Sequence, residues 1–207
     1  MTIAAARTGT KGVPRGEREE QILEVAAREF GIRGYAATSV ATVAAAAGIS
    51  KPLVYQYFGS KEGLHRACVE QVGGDLEAAI EEVARGDSVG LRRGMLTLAA
   101  MFTALDGRPY LWRTLFDSSA PGAAPGVDAV RRHTEKIQSL AREGVTELLA
   151  LHGTPTEADV SALAHVWLGI VDSFMTWWAD HPDESAEDMA ARGFRLADAA
   201  FRDMGGG

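Results

Sequence analysis

The amino-acid sequence predicts an all-α fold of about nine helices, and three observations carry that prediction. Apolar residues recur three and four apart through most of the chain, the period of a helix with one buried face. No stretch alternates apolar and polar residues over a strand's length. Glycine and proline break the periodic stretches at 107–109, at 118–126 with Pro121 and Pro125, at 153–155 and at 181–182. With 207 residues, 46% hydrophobic and 24% charged, the chain has ordinary globular composition and enough length to bury a core.

The elements follow in order. Residues 1–16 lack periodicity and are expected to form a flexible arm. Its basic residues Arg7, Lys11 and Arg15 suit a DNA groove, although a solvated tail is the plainer reading. A helix over 18–33 has the stripe Ile22, Leu23, Ala26, Ala27 and Phe30, and Gly34 suits a left-handed cap. Thr38 or Ser39 can cap the next helix by accepting from orphan backbone N–H groups. Val40, Val43, Ala44 and Ala47 form its apolar face, Gly48 permits a tight turn, and Ile49 plugs it. Ser50 opens a further helix in which Pro52 fits only the first turn. Val54 and Phe58, four apart, point inward, which leaves Lys51, Pro52, Leu53, Tyr55, Gln56 and Tyr57 on the outer faces. Ser60 caps a helix running toward Arg85, with a bend expected at Gly73-Gly74. Later helices are expected near 88–105, 109–117, 126–152, 156–180 and 184–203.

A helix, a short glycine-containing turn and a second helix with polar and aromatic residues outside is the helix-turn-helix pattern. The stretch Ile22 to Leu64 also resembles the N-terminal domain of the tetracycline-repressor (TetR) family of bacterial transcription regulators. The resemblance runs through T-S-V-x-x-V-A, A-G-I-S-K, V-Y-x-Y-F and S-K-E-G-L. It implies, behind the arm over 1–16, a DNA-binding head over 17–64 and a ligand-binding and dimerisation domain over 65–207. Past residue 65 only helix order and lengths are similar.

The resemblance implies phosphate contacts for Ser39, Tyr55 and Lys61, and contacts to bases or flanking phosphates for Lys51, Pro52, Leu53 and Tyr57. The chemistry agrees. Lysine donates to guanine, Gln56 can pair with adenine, Leu53 can cover a thymine methyl, and Ser50, like the other hydroxyls, suits phosphate oxygens. Ordinary packing is the plainer reading of either tyrosine. Ala41 stands where many family members carry a polar or basic residue, so base readout should rest mainly on the helix after Gly48. The chain holds no asparagine.

Charge sharpens this division. Residues 1–65 carry eight Lys/Arg against six Asp/Glu, +2, and the remainder thirteen against twenty-two, −9. A basic head on an acidic body is compatible with duplex binding despite the overall −7. The single cysteine, Cys68, excludes an internal disulfide and any C-x-x-C site. A cytoplasmic setting is therefore expected. No run of about 20 apolar residues predicts a membrane span, and the N-terminus lacks an apolar signal region.

Other constellations are weaker. Glu62-x-x-His65 has the spacing of a di-iron half-site, but no second copy exists. His133, His152, His165 and His181 match no zinc spacing, so no metal or cofactor is expected. Leu98, Met101, Phe102, Trp112, Phe116, Trp167, Phe174 and Met175 can line a cavity for an apolar effector, with His133 and Asp172 orienting it. For each apolar one, plain core packing is the simpler reading. Leu163, Ile170 and Trp177 recur at seven-residue steps, and Phe194, Ala197 and Phe201 share a face of the last helix. Such a seam suits a two-fold interface, with small Gly193, Ala197 and Ala200 permitting close approach.

The sequence is read as a homodimeric regulator, most simply a repressor of a palindromic operator, released by a small hydrophobic molecule. An all-α enzyme or a ligand-independent activator are the alternatives. No nucleophile–base pair, metal set or phosphate loop supports the enzyme.

Overall fold

The computed structural model describes residues 13–116 and 125–202, with the side chains of 116, 125–127 and 201–202 outside that description. These residues form nine helices and no strand. They are α1 (Arg15–Ala37), α2 (Val40–Ala46), α3 (Lys51–Phe58), α4 (Lys61–Ala84), α5 (Gly90–Ala104), α6 (Leu111–Phe116), α7 (Pro125–Ala150), α8 (Glu157–Asp180) and α9 (Ala186–Arg202). Arg7 and Lys11 of the expected arm lie outside the described residues. Arg15 belongs to α1, which starts three residues earlier than its apolar stripe requires, behind Pro14.

Helix α1 is not regular to its end. Gly34 adopts φ 76°, ψ 164°, a conformation open to glycine, and the helix resumes through Ala37. The buried Thr38 hydroxyl donates to the carbonyls of Gly34 and Glu29 at 2.9 and 3.0 Å, tying the end of α1 back to its preceding turns. Ser39 is the cap of α2, accepting from the Thr42 backbone N–H at 3.0 Å.

The three head helices do not form a separate core. A single buried cluster runs from Ile22, Phe30, Val43 and Val54 in the head through Leu64, Leu76 and Phe102 to Met175 and Trp178 in the body. Helix α4 links the two regions, packing against α1 and α3 near its start and against α5 and α7 along its length.

The bend expected at Gly73-Gly74 is absent. Helix α4 is unbroken from Lys61 to Ala84, and neither glycine has positive φ. Gly73 instead gives room to His133 of α7, since a Cβ there would stand 2.3 Å from the imidazole Cγ. His133 lies between two carboxylates of α4, with Nδ1 2.7 Å from Glu77 and Nε2 2.9 Å from Glu70. Arg132 also pairs with Glu70, and Lys136 reaches Glu81 at 3.0 Å. Burial pushes the Glu70 carboxyl up, but the His133 hydrogen bond and Arg132 outweigh it and hold it below the usual range.

Helix α8 bears on the membrane expectation only weakly. By length and composition it is apolar enough to cross a membrane, with mean hydropathy 1.2 over 18 residues, yet few of those residues are buried within the chain. It packs on α7 and α6, while Val166, Ile170 and Trp177 are exposed, Val166 and Ile170 on the lining of the cavity described below.

Candidate DNA interface and effector cavity

The turn between α2 and α3 is closed by backbone bonds from Gly48 to Ala45 and from Ile49 to Ala44, and Gly48 has φ 66°. Ile49 packs half-buried on the core, and Val54 is buried to 1% exposure. That anchors one face of α3 and turns the other outward. Lys51, Pro52, Tyr55 and Gln56 are exposed, with Leu53 and Tyr57 half-buried beside them. Ser50 caps α3 without a side-chain hydrogen bond, and Ser39 is exposed at the start of α2.

Two cations rest on the aromatic rings of this surface. Lys51 Nζ lies 5.7 Å from the Tyr55 centroid, and the Arg15 guanidinium lies 5.5 Å from that of Tyr57. Tyr57 also packs on the core, so its ring has an inner and an outer role. Sequence periodicity shows only one of these.

The head meets α4 through a tight turn. Gly59 has φ 74°, and Ser60 accepts from the Gly63 backbone N–H at 3.0 Å. Gly63 is confined, because a Cβ there would sit 2.1 Å from the Phe58 carbonyl oxygen. The Tyr35 hydroxyl donates to Glu62 at 3.0 Å, and Lys61 Nζ lies 4.2 Å from the Tyr35 ring centroid. Burial, with the nearby Glu62 carboxylate, raises the Tyr35 phenol to about 12. The Glu62 backbone N–H, then the Ser60 and Tyr35 hydroxyls, hold the Glu62 carboxyl below its ordinary value. His65, beside it, is buried edge-on between Phe30 and Tyr35. Among the described residues no cluster of three His, Cys, Asp or Glu side chains is placed to hold a metal ion.

Below the head lies a cavity of about 1410 Å³. Of the residues read from the sequence as ligand contacts, Leu98, Met101, Trp112, Trp167, Asp172 and Phe174 line it. Phe102 and Met175 are fully buried and stand behind the wall as core. His133 faces α4, and the Phe116 side chain lies outside the described residues. Asp172 accepts from the Trp112 indole N–H at 3.0 Å, so this carboxylate holds a cavity-lining ring in place.

The sequence does not reveal that Phe30, Gly31 and Gly34 of α1 also wall the cavity. Gly31 lets α1 approach the chain before α6, since a Cβ there would meet the Tyr110 carbonyl oxygen at 2.5 Å. No local pattern shows such an approach between residues 79 apart.

The expected dimer seam divides in two. Ile170, Trp177 and Phe194 are exposed, and Val166 and Leu196, which the heptad reading misses, are more so at 55% and 54%. Leu163 packs against Val145 and Val160 within the chain, and Ala197 packs on the core. Gly193 faces inward, where a Cβ would stand 3.3 Å from the Met95 methyl, so its small size serves the approach of α9 to α5. The Phe201 side chain lies outside the described residues.

An anchored α3 with an exposed polar and aromatic face, set by a glycine turn behind α2, is a helix-turn-helix DNA-binding head. Residues 22–68 match the family model described as bacterial regulatory proteins, tetR family. The HTH-type transcriptional repressor Rv3405c of Mycobacterium tuberculosis is 31% identical over 156 residues, covering 73% of this chain and 79% of that protein. The HTH-type transcriptional activator FasR of Mycolicibacterium smegmatis is 30% identical over 106 residues, 51% of this chain and 48% of its own length. The fold is similar to that of the regulator FadR of Bacillus subtilis, solved with stearoyl-CoA. The TM-score is 0.67 at 19% identity, over 86% of this chain and 94% of that one. The chain belongs to the tetR family of bacterial regulatory proteins and is a DNA-binding transcription regulator, not an enzyme.

Proposed function

We propose that this protein is a homodimeric, effector-responsive transcriptional repressor, with residues 17–64 as its DNA-binding head and 65–207 as its effector-binding and dimerisation body. The observation that carries this reading is one continuous core joining the exposed face of α3 to a large apolar cavity walled partly by the head's own α1. A molecule filling that cavity touches the element that holds α2 and α3.

The roles follow from chemistry. Ser39, Tyr55 and Lys61 contact phosphates, which position the head. Lys51, Leu53 and Gln56 read base edges, flanked by Ser50, Pro52 and Tyr57. Two heads enter successive major grooves of an inverted repeat, and the exposed Val166, Ile170, Trp177, Phe194 and Leu196 form the surface that a second copy covers. The effector is a large, mainly apolar molecule, a reading that the mostly apolar cavity lining supports and for which FadR, solved with stearoyl-CoA, offers a precedent. It releases DNA to the extent that it prefers the DNA-incompetent spacing of the heads, typically by about 1–3 kcal/mol. Repression is favoured over activation because the longer of the two alignments is with a repressor. A DNA operator as partner favours a cytoplasmic setting.

The test is a mobility-shift titration with genomic fragments, repeated with stearoyl-CoA as the probe effector. Salt-sensitive binding to an inverted repeat near a promoter, weakened by the probe, supports the reading. Binding that no apolar compound alters favours a ligand-independent regulator.

A further inference from the structure

Lys61 stands at the first position of α4 and is half-buried. A lysine there has four rotatable bonds, and fixing them costs entropy that a phosphate contact must recover. The structure supplies a platform in advance. The Tyr35 ring lies beneath the ammonium at 4.2 Å, and it is immobilised on three sides. It stacks on Phe30 with centroids 6.0 Å apart, meets His65 edge-on at 5.0 Å, and donates its hydroxyl to Glu62. Gly34, turning the chain at φ 76°, directly precedes this tyrosine. An aromatic face carries negative quadrupolar charge, so it attracts the cation without neutralising it.

We propose that Tyr35 is a positioning residue for DNA binding, its ring face holding the Lys61 ammonium at the head of α4 where a duplex phosphate meets it. The proposal rests on the reading of Lys61 as a phosphate contact. The partner group is the phosphodiester of any duplex, so the effect is independent of base sequence. Phe30, which stacks on Tyr35, walls the cavity. The lysine and the cavity therefore share one aromatic cluster.

The test uses the full chain and a fluorescein-labelled duplex of mixed sequence, with Kd measured over a salt series. Tyr35→Phe keeps the ring, and phenylalanines with increasing numbers of ring fluorines at the same position keep its shape while removing the negative face. Kd is expected to rise stepwise with fluorination, by about two- to fivefold in all, the range of an exposed cation–π contact. The same series in a Lys61→Ala background is expected to be flat. A flat series in the otherwise unaltered protein, or an equal rise in both backgrounds, overturns the role of Tyr35. Separately, Lys61→Ala alone is expected to reduce the slope of log K against log salt by about 0.9 per subunit. An unchanged slope removes Lys61 from the phosphate and the proposal with it, a failure distinct from a flat fluorine series with the slope change intact. Thermal melting of each variant checks that the head stays folded.

Discussion

Gly73 and Gly74 are neighbours on α4 with the same backbone geometry, so alanine at each should bring the same gain in helix propensity, about 0.8–1.0 kcal/mol. Their surroundings differ. A Cβ on Gly74 meets nothing within 4 Å, whereas one on Gly73 stands 2.3 Å from His133 Cγ and 2.6 Å from both Cδ2 and Nδ1. Carbon contacts prefer about 3.5–4.0 Å, so the imidazole must move. It cannot move freely, because both its nitrogens are bonded to carboxylates of α4. Overpacking of this kind typically costs about 1–3 kcal/mol. The two variants should therefore differ by about 1–3 kcal/mol, with Gly74→Ala more stable than the parent protein. Urea denaturation followed by circular dichroism reads this difference from the midpoints, provided the slopes match. His133→Ala should rescue most of the Gly73→Ala loss. Equal midpoints for the two alanine variants would refute the steric account of how α4 and α7 are held together.

Further predictions concern the head and the outer face of the body. Gln56→Ala should weaken binding to the selected operator by about 1–3 kcal/mol while leaving non-specific binding nearly unchanged, a contrast read by competition with mixed-sequence DNA. Ile170→Arg combined with Leu196→Arg places charge on exposed apolar positions. It should yield folded monomers by light scattering, with operator binding reduced far more than the stability of the monomer. The depressed Glu62 carboxyl predicts a pH signature. Its contribution is fully present above the ordinary value of 4.5 and is lost as pH falls through the lower folded-state value. The melting-temperature gap between the parent and Glu62→Gln should therefore be constant above about pH 5 and close in more acid buffers.

Legibility in the sequence followed the range of the interactions involved. The caps at Ser39 and Ser60, the turn at Gly48 and the inward Val54 were readable because each depends on residues within four positions. Gly73 is not legible in the sequence because a helical glycine and a bending glycine look alike locally. The difference is His133, 60 positions away. The same limit applies to the body. Aromatic and methionine content marked the region of the cavity, but whether Leu98 or Phe102 faces the void depends on the rotation of α5 against α8 and α9. Small residues were equally ambiguous. The spacing of Gly193 suits an interface, yet it admits Met95 and Leu98 of the same chain. Its own helix carries no sign of which side that neighbour occupies.

Selection from fragmented genomic DNA, followed by footprinting of the enriched site, tests most directly whether the outward face of α3 reads DNA. The account predicts an inverted repeat whose half-sites lie about 10–10.5 base pairs apart or a multiple of that. Protection should disappear in a folded Lys51→Ala, Tyr55→Ala double variant. Enrichment of no site, or a footprint that survives this double substitution, would contradict it.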